Sequence, residues 1–416
     1  MSKMKQNEVE WIGEISEDWD VKKVKHSFVR KNEKAMQENP TVLSLARSGI
    51  KERDISNNEG QLAESYYNPV DVDDLLINPM DLYSGANCSI SKVKGVISPA
   101  YINLRAKKNV SPVFYDYYFK VQYWMMAFFV HGNGVSFEDR WTLNNETLQN
   151  YPIVAPSFET QQRIASYLDK KCNKIEETIQ NQQQVIEKLK AYKQSLITEA
   201  VTGKIKIQNK ISDFKYCNLG FIAEFKNGLN YNASDFGTEV KFLGVGDFQN
   251  YLVLNDESMF SNIITDTEIE DDYYLKNEDI IFVRSNGSKE LVGRAIMVDN
   301  IDFKVTYSGF YIRLRNKEPK KINSKFLLYF FRSDYFRNEL QRLSQGSNIS
   351  NINQDLLSHI KIPLVAIRFQ ESVVDFLNKK CTAIDTVIEQ KQNLIDKLTE
   401  YKKSLIYECV TGKKEI

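Results

Sequence analysis

One long segment of this chain occurs twice. Residues 161–204 and 370–413 lie 209 positions apart and, aligned without a gap, are identical at 21 of 44 positions counted along the sequence. A repeat of this length constrains the architecture more than any other feature. We therefore expect the 416 residues to form two halves, each a variable segment followed by a long helix.

Both copies carry a heptad pattern, with apolar residues spaced alternately by four and three positions. Such spacing is typical of a coiled-coil seam. The seam residues predicted to pair the helices are Ile175, Ile179, Ile186, Leu189, Leu196, Ile384, Ile388, Ile395, Leu398 and Leu405.

Polar residues interrupt the two seams at matching points. Gln182 and Lys193 interrupt the first, and Lys391 and Lys402 interrupt the second. Polar seam residues weaken a coil but specify its register and partner. Because the patterns match in this detail, we expect the helices to pair with each other, antiparallel, about a pseudo-twofold axis. Separate packing of each helix on its own domain is the alternative.

The remainder of each half predicts a mixed domain. YINLR from Tyr101 and YIRLR from Tyr311 alternate as strands do, whereas the aromatic stretches from Phe114 and Phe326 predict short buried helices. The predicted fold class is α+β (mixed α/β), with two similar globular domains separated by two long antiparallel helices. The predicted boundaries are 1–157 for the first domain, 158–204 for its helix, 205–212 for a linker, 213–366 for the second domain and 367–416 for its helix.

Polar loops follow the predicted strands and precede the long helices. Side chains of Ser, Asn, Gln, Arg and Lys on a rigid scaffold are suited to contacting base edges and phosphates, although many surface loops have the same composition. The candidate DNA-binding residues are Arg47, Ser48, Lys51, Arg53, Tyr83, Asn87, Asn133, Arg140, Arg284, Asn286, Ser288, Lys289, Gln345, Ser347 and Asn348.

No catalytic or metal-binding set is predicted. The three histidines are scattered without ligand spacing, and no phosphate-binding P-loop motif is present. The pairs Asn68-Pro69 and Asn78-Pro79 lack the second proline and the aromatic residue of the motif with which methyltransferases hold a flipped adenine. Five cysteines without a CxxC pair, no signal peptide and no apolar span favour a cytoplasmic protein.

The arrangement resembles the specificity subunit of type I restriction–modification systems. The resemblance covers essentially the whole chain and lies in the duplicated helices ending in VTGK, the proline-bearing segments before Gln161 and Gln370, and the openings at Trp11 and Asp213. It implies two target-recognition domains, each binding half of a bipartite, asymmetric site in double-stranded DNA. It also implies two adenine-N6 methyltransferase subunits docked on the helices, and motor-nuclease subunits.

The resemblance assigns no cofactor to this chain. S-adenosylmethionine, ATP and Mg²⁺ are expected in the partner subunits. With one proline, Pro363, the segment before the second helix departs from the usual pattern of the family.

Two other classes of function remain open. The chain fits a coiled-coil scaffold or adaptor with two ligand-binding domains and no DNA role, which its neutral charge favours. The other possible class is an enzyme with an unrecognised site, which the absence of clustered His, Asp and Glu disfavours.

Charge limits what the chain does alone. Lys and Arg number 55, Asp and Glu also number 55, and the isoelectric point is near 6.9, whereas isolated DNA-binding domains are usually basic. We therefore predict that the isolated chain binds DNA weakly and in a salt-dependent manner, and that partner subunits supply much of the electrostatic attraction. Tight specific binding by the chain alone, measured by a salt titration of DNA affinity, would contradict this.

Overall fold

The computed structural model describes residues 4–6, 11–34, 40–46, 49–53, 67–80, 82, 87–134, 141–207, 214–230, 237–244, 246, 253–266, 268–285, 290–344 and 351–416. The chain divides into two compact units, unit 1 with Met1–Gln182 and Asn393–Ile416, and unit 2 with Gln183–Gln392. Each unit therefore contains part of both long helices.

Unit 1 contains the elements that precede the first long helix, the part of that helix up to Gln182, and the part of the second long helix from Asn393. The elements from the N-terminus through the whole of the first long helix are β1 (Met4–Gln6), β2 (Glu14–Ser16), β3 (Asp20–Lys23), α1 (Val24–Ser27), β4 (Phe28–Lys31), β5 (Val42–Ala46), β6 (Gly49–Glu52), β7 (Asn68–Val70), β8 (Leu75–Ile77), β9 (Cys88–Ile90), β10 (Gly95–Ile97), β11 (Ile102–Ala106), α2 (Pro112–Trp124), α3 (Ala127–Val130), α4 (Asn145–Asn150), β12 (Pro152–Ala155) and α5 (Phe158–Val201).

Unit 2 follows the same order with fewer short helices. Its elements are β13 (Lys215–Asn218), β14 (Ala223–Asn227), β15 (Thr238–Leu243), β16 (Val253–Leu254), β17 (Ser261–Thr265), β18 (Ile280–Val283), β19 (Ala295–Val298), β20 (Val305–Tyr307), β21 (Tyr311–Asn316), α6 (Ser324–Phe331), α7 (Asp334–Leu343), α8 (Gln354–Ser358), β22 (Lys361–Leu364) and α9 (Ile367–Val410). Single 3₁₀ turns lie at Leu219–Phe221, Glu257–Met259 and Asp271–Tyr273.

The two units share most of their sheet topology, but β7 joins the second sheet in unit 1, whereas β16 joins the first sheet in unit 2. Unit 1 has sheets of order β4-β11-β8-β9 and β6-β5-β10-β7, and unit 2 has β14-β21-β18-β19-β16 and β17-β15-β20. In the second sheet of each unit one pairing is parallel, β5 with β10 and β15 with β20. A two-stranded ribbon, β3-β12 or β13-β22, precedes the long helix in each unit. The internal repeat therefore extends to most of the fold of each unit, which confirms the predicted fold class.

The predicted strands and buried helices are confirmed. YINLR and YIRLR form β11 and β21, each between two antiparallel neighbours. The aromatic stretches form α2, α6 and α7, whose rings fill the space between sheet and long helix. Phe114 and Phe119 of α2 and Phe326 and Phe330 of α6 are completely buried.

The long helices pair antiparallel within each unit. In unit 1 the Nζ atom of Lys402 lies 2.6 Å from Glu176 Oε2, and in unit 2 that of Lys193 lies 2.6 Å from Asp385 Oδ2. The two ion pairs are equivalent under the 209-residue repeat, so each seam lysine bonds an acid of the other helix. Half-exposed ion pairs contribute only about 0.2–1 kcal/mol to stability. We therefore assign to them chiefly the role of specifying the register in which the two helices pair.

The ten predicted seam residues are largely withdrawn from solvent. Seven are buried, and Leu189, Ile388 and Leu398 are half-buried. Their role in pairing the helices remains a prediction.

Both long helices end at a glycine in the left-handed conformation, Gly203 with φ 73° and Gly412 with φ 74°. Each N–H donates to the carbonyl three residues earlier, which is a common way to end a helix. A Cβ atom at Gly203 would collide with the ring of Phe214, and one at Gly412 would crowd Trp19. Each helix therefore ends against the aromatic residue that precedes the first ribbon strand of a domain.

A buried glutamine joins each domain to its long helix. Gln161 accepts a hydrogen bond from the Ser111 N–H at 2.8 Å and donates to the Pro156 carbonyl at 2.8 Å. Ser111 is the N-cap of α2, so one amide links α2, the ribbon and the long helix.

Gln370 does the same in unit 2. It accepts from the N–H of Asn323, the N-cap of α6, at 2.8 Å. It donates to the carbonyls of Val365 at 2.7 Å and Lys321 at 2.9 Å. The side chain is fully buried, so no water replaces these bonds when the amide is lost.

We predict that Gln370→Leu lowers the free energy of unfolding of unit 2 by about 2 kcal/mol or more, because it leaves buried backbone groups unpaired. Urea denaturation followed by circular dichroism measures the change. The control is Gln180→Leu, an exposed position on α5, expected to change stability by less than about 0.5 kcal/mol. Equal effects of the two substitutions would refute this role for Gln370.

Candidate nucleic-acid interface

The structure describes five of the fifteen candidate DNA-binding residues. These are Lys51, Arg53, Asn87, Asn133 and Arg284. The other ten lie outside the described residues: Arg47, Ser48, Tyr83, Arg140, Asn286, Ser288, Lys289, Gln345, Ser347 and Asn348.

In unit 1 the end of the β5–β6 hairpin meets the segment before β9. The Asn87 side chain donates to the Ala46 carbonyl at 3.2 Å. Lys51 lies on β6 and Arg53 directly after it, both exposed, and the Arg53 N–H donates to the Val42 carbonyl at 2.8 Å. Lys51 is therefore an exposed cation on this hairpin, whereas Arg53 lies beside Val42, at the end of β5 opposite to Ala46 and Asn87.

The loop before α4 packs against the segment after β8. Asn133 and Thr142 exchange backbone hydrogen bonds of 2.9 and 3.0 Å. The Leu143 N–H donates to Pro79 at 2.8 Å, and the Leu82 N–H donates to Trp141 at 3.3 Å. The described ends of three candidate loops thus lie side by side at one edge of unit 1.

Unit 2 has the corresponding arrangement around Arg284, which directly follows β18. Its carbonyl accepts from the Ile352 N–H at 2.9 Å, and Ser285 forms a bridge with Asn351. Its N–H donates to the Phe310 carbonyl at 2.8 Å. The candidate segment after β18 and the segment before α8 are therefore neighbours, as their equivalents are in unit 1.

An ion pair between an arginine and a buried aspartate supports the strand that leads to each loop. Asp74 directly precedes β8 and accepts from Arg105 Nε at 2.8 Å, and Asp279 directly precedes β18 and accepts from Arg315 Nε at 2.8 Å. Each aspartate also accepts from the backbone N–H three residues earlier, at 2.8 Å in both cases. Both carboxylates are buried, so these pairs fix the start of the strand and the direction of the loop beyond it.

In unit 1 the ion pair extends to a second aspartate. Asp71 bonds to both Arg105 and Lys31, and these bonds, that of Arg105 foremost, lower its pKa to about 2. Sequence reasoning missed the Asp74 and Asp279 pairs. Two signals were available in the sequence. One is the arginine that ends both YINLR and YIRLR, and the other is the aspartate directly before each of the apolar strands LLI and IIFV.

Among the described residues no group of three or more His, Cys, Asp or Glu side chains is placed to hold a metal ion. All five cysteines are free, and four of them are buried. In the described part of the chain no helix is long and apolar enough to cross a membrane. The described candidate residues can form hydrogen bonds and ion pairs with a ligand, and all of them but Asn133 lie on or next to strands of the sheets.

The sequence pattern of the type I restriction modification DNA specificity domain family matches residues 80–188 and 211–397, which together are more than half of the chain. This chain belongs to that family. The two matched segments fall on the two halves of the internal repeat, so each unit carries much of one copy of the specificity domain.

Individual relatives agree with this assignment. The StySPI type I restriction enzyme specificity subunit of Salmonella potsdam is 26% identical over 319 residues, which are 74% of this chain and 67% of that protein. The MjaVIII specificity subunit of Methanocaldococcus jannaschii is 25% identical over 366 residues, which are 82% of this chain and 80% of that protein.

Solved structures share the fold of this chain. A chain from a study of complex assembly and conformational transition of the type I R-M system superimposes with a TM-score of 0.73 at 13% identity, covering 96% of this chain and 99% of that one. The HsdS subunit from Thermoanaerobacter tengcongensis gives a TM-score of 0.54, also at 13% identity, covering 96% and 98%.

Proposed function

We propose that this chain is the DNA sequence-specificity subunit of a type I restriction–modification complex. Each unit binds one half of a bipartite site in double-stranded DNA. The observation that carries the proposal is that in both units the described ends of the candidate loops lie at the same edge of equivalent sheets, while the sequences of those loops differ. Equal scaffolds with unequal loops suit an asymmetric site.

The described candidate residues fit this division. Lys51 and Arg53 are exposed cations on the β5–β6 hairpin of unit 1, suited to phosphates, and Arg284 of unit 2 offers a planar guanidinium suited to guanine. The ten undescribed candidates retain the same proposed role.

The long helices carry a duplicated surface, exposed except for a half-buried glutamate in each copy, that we name the outer stripe. Its members in α5 are Lys188, Tyr192, Ser195 and Glu199, and in α9 Lys397, Tyr401, Ser404 and Glu408, identical residue by residue at the 209-residue offset. The tyrosines are 57% and 54% exposed. In each copy the serine hydroxyl donates to the glutamate, at 2.9 and 3.2 Å.

Packing within the chain does not account for this identity. Exposed positions beside the stripe have diverged, since Lys190 and Ala191 are replaced by Thr399 and Glu400. Two identical exposed surfaces in one chain suit two copies of one partner. We assign them to two methyltransferase subunits, with each tyrosine as an anchor.

Catalysis belongs to the partners in this proposal. The specificity chain contributes recognition, methyltransferase subunits transfer the methyl group to adenine N6 with S-adenosylmethionine, and motor-nuclease subunits use ATP and Mg²⁺. The neutral net charge of the chain fits a subunit that depends on its partners for much of its phosphate contact.

The proposal is tested by mapping methylated adenines in cells that carry this chain with its methyltransferase. We predict a split motif, two defined parts with an unspecified spacer. A heptad inserted after Gln183 and after Gln392, equivalent positions in the two helices, keeps the seam in phase and lengthens each helix by about 10 Å. The spacer should grow by roughly three base pairs, at about 3.4 Å per pair, with both halves unchanged.

A continuous motif, or altered half-sites with an unchanged spacer, contradicts the proposed geometry. Absence of any motif favours the scaffold or adaptor function instead. Insertion of seven residues into the linker at 205–212, outside both helices, is the matched control and is expected to leave the spacer unchanged.

We also predict that Tyr192→Ala or Tyr401→Ala lowers the number of bound methyltransferase subunits from two to one, and that the double variant binds none. Native mass spectrometry of the copurified complex counts the subunits. Because both rings are exposed, folding is retained. The control, Tyr216→Ala, removes an exposed tyrosine of β13, outside both long helices, and retention of two subunits by the double variant would exclude the outer stripe as the docking surface.

A further inference from the structure

We propose that Phe310 contacts the 5-methyl group of a thymine in the half-site bound by unit 2, beside the base pair that Arg284 contacts. The inference rests on the proposed function and adds a residue that no loop motif indicated. Phe310 is the last residue of the turn between β20 and β21, and its side chain is 51% exposed.

The turn that carries Phe310 is held from several sides. The Phe310 N–H donates to Ser308 Oγ at 3.3 Å, and its carbonyl accepts from the Arg284 N–H at 2.8 Å. The Gly309 N–H donates to the Leu229 carbonyl at 2.8 Å. An aromatic side chain on a fixed turn loses little conformational entropy when it is covered by a ligand.

The same turn occurs in unit 1 without the aromatic ring. The Ala100 N–H donates to Ser98 Oγ at 3.4 Å, and the Tyr101 N–H donates to the Ser98 carbonyl at 3.0 Å. The corresponding bond from Tyr311 to Ser308 measures 2.9 Å. The backbone does not require phenylalanine at this position, because the alanine of unit 1 adopts the same turn. The ring is therefore available for a contact specific to unit 2.

The neighbour of Phe310 indicates which part of DNA it meets. Arg284 Nη1 donates to the Gly309 carbonyl at 3.4 Å, which places the guanidinium beside the turn. In the major groove, arginine pairs with the O6 and N7 atoms of guanine, and an apolar side chain covers the methyl group of thymine. A cation next to an apolar ring on one edge thus fits a guanine with an adjacent thymine.

The test uses the full chain in complex with its methyltransferase subunits and duplexes of the mapped site. Each thymine is replaced in turn by deoxyuridine, which lacks only the methyl group. We expect one replacement to weaken binding by the wild-type complex about fourfold, the effect of one buried methyl group. Phe310→Ala should bind the all-thymine duplex about fourfold more weakly and should be insensitive to that replacement.

The control is Phe221→Ala, which removes a 75% exposed phenylalanine elsewhere in unit 2 and should keep both wild-type affinities. The inference is overturned if Phe310→Ala retains the sensitivity of the wild type to every replacement, or if the site lacks thymine. It is equally overturned if 2-aminopurine fluorescence shows that Phe310 unstacks a base step, as an inserted wedge would. Failure of the proposed function is distinct, because the wild-type complex would then have no split motif.

Discussion

The buried amide between each domain and its long helix is the interaction on which the loop positions depend. Gln161 and Gln370 are equivalent under the repeat, and both accept from the N-cap N–H of an aromatic helix. That helix packs beneath the sheet whose strands carry the candidate loops. A rotation of the domain on its helix would break hydrogen bonds that no solvent replaces, so the amide fixes where the loops lie relative to the helix.

The paired helices add a second constraint, which is register. A seam of apolar residues alone tolerates a shift by one heptad, because apolar contacts are non-directional. The seam lysines oppose such a shift, since moving Lys193 away from Asp385, or Lys402 from Glu176, leaves a charge in a half-buried seam without its partner. The modest energy of each pair is sufficient for this purpose because the same pair occurs twice.

Much of the fold could be predicted from the sequence because the duplicated features are periodic. The heptads, the alternating strands YINLR and YIRLR and the helix-ending glycines each follow from local sequence pattern. The ion-pair partners of Asp74 and Asp279 could not be predicted, because the sequence around a single aspartate does not show whether its side chain is exposed or buried. Each meets its arginine only through a sheet pairing about 30 residues away.

The candidate site was predicted less completely for the same reason. Composition selected polar residues on loops, and Arg284 lies in a contiguous set of loop ends. Phe310 was missed because a phenylalanine between two strands resembles a core residue in sequence. Its exposure follows from the turn geometry, which the sequence alone does not specify.

The differences between the units extend from the loops into the interior. Asn103 of β11 and Arg313 of β21 hold equivalent positions and are fully buried. Asn103 donates to the Pro69 carbonyl at 2.9 Å, whereas Arg313 donates to the Asp272 carbonyl at 2.6 Å and to Glu224 Oε1 at 2.9 Å.

A buried guanidinium without its acid partners costs several kcal/mol, so Arg313 is compatible only with the strand and turn that supply Glu224 and Asp272. Each unit therefore has its own set of buried polar contacts behind its loops. Exchange of single residues between units would leave charges unpaired, whereas exchange of a whole domain keeps each set intact. The domain, joined to its helix by one buried amide, is consequently a part of this chain that can be exchanged with its buried polar contacts intact.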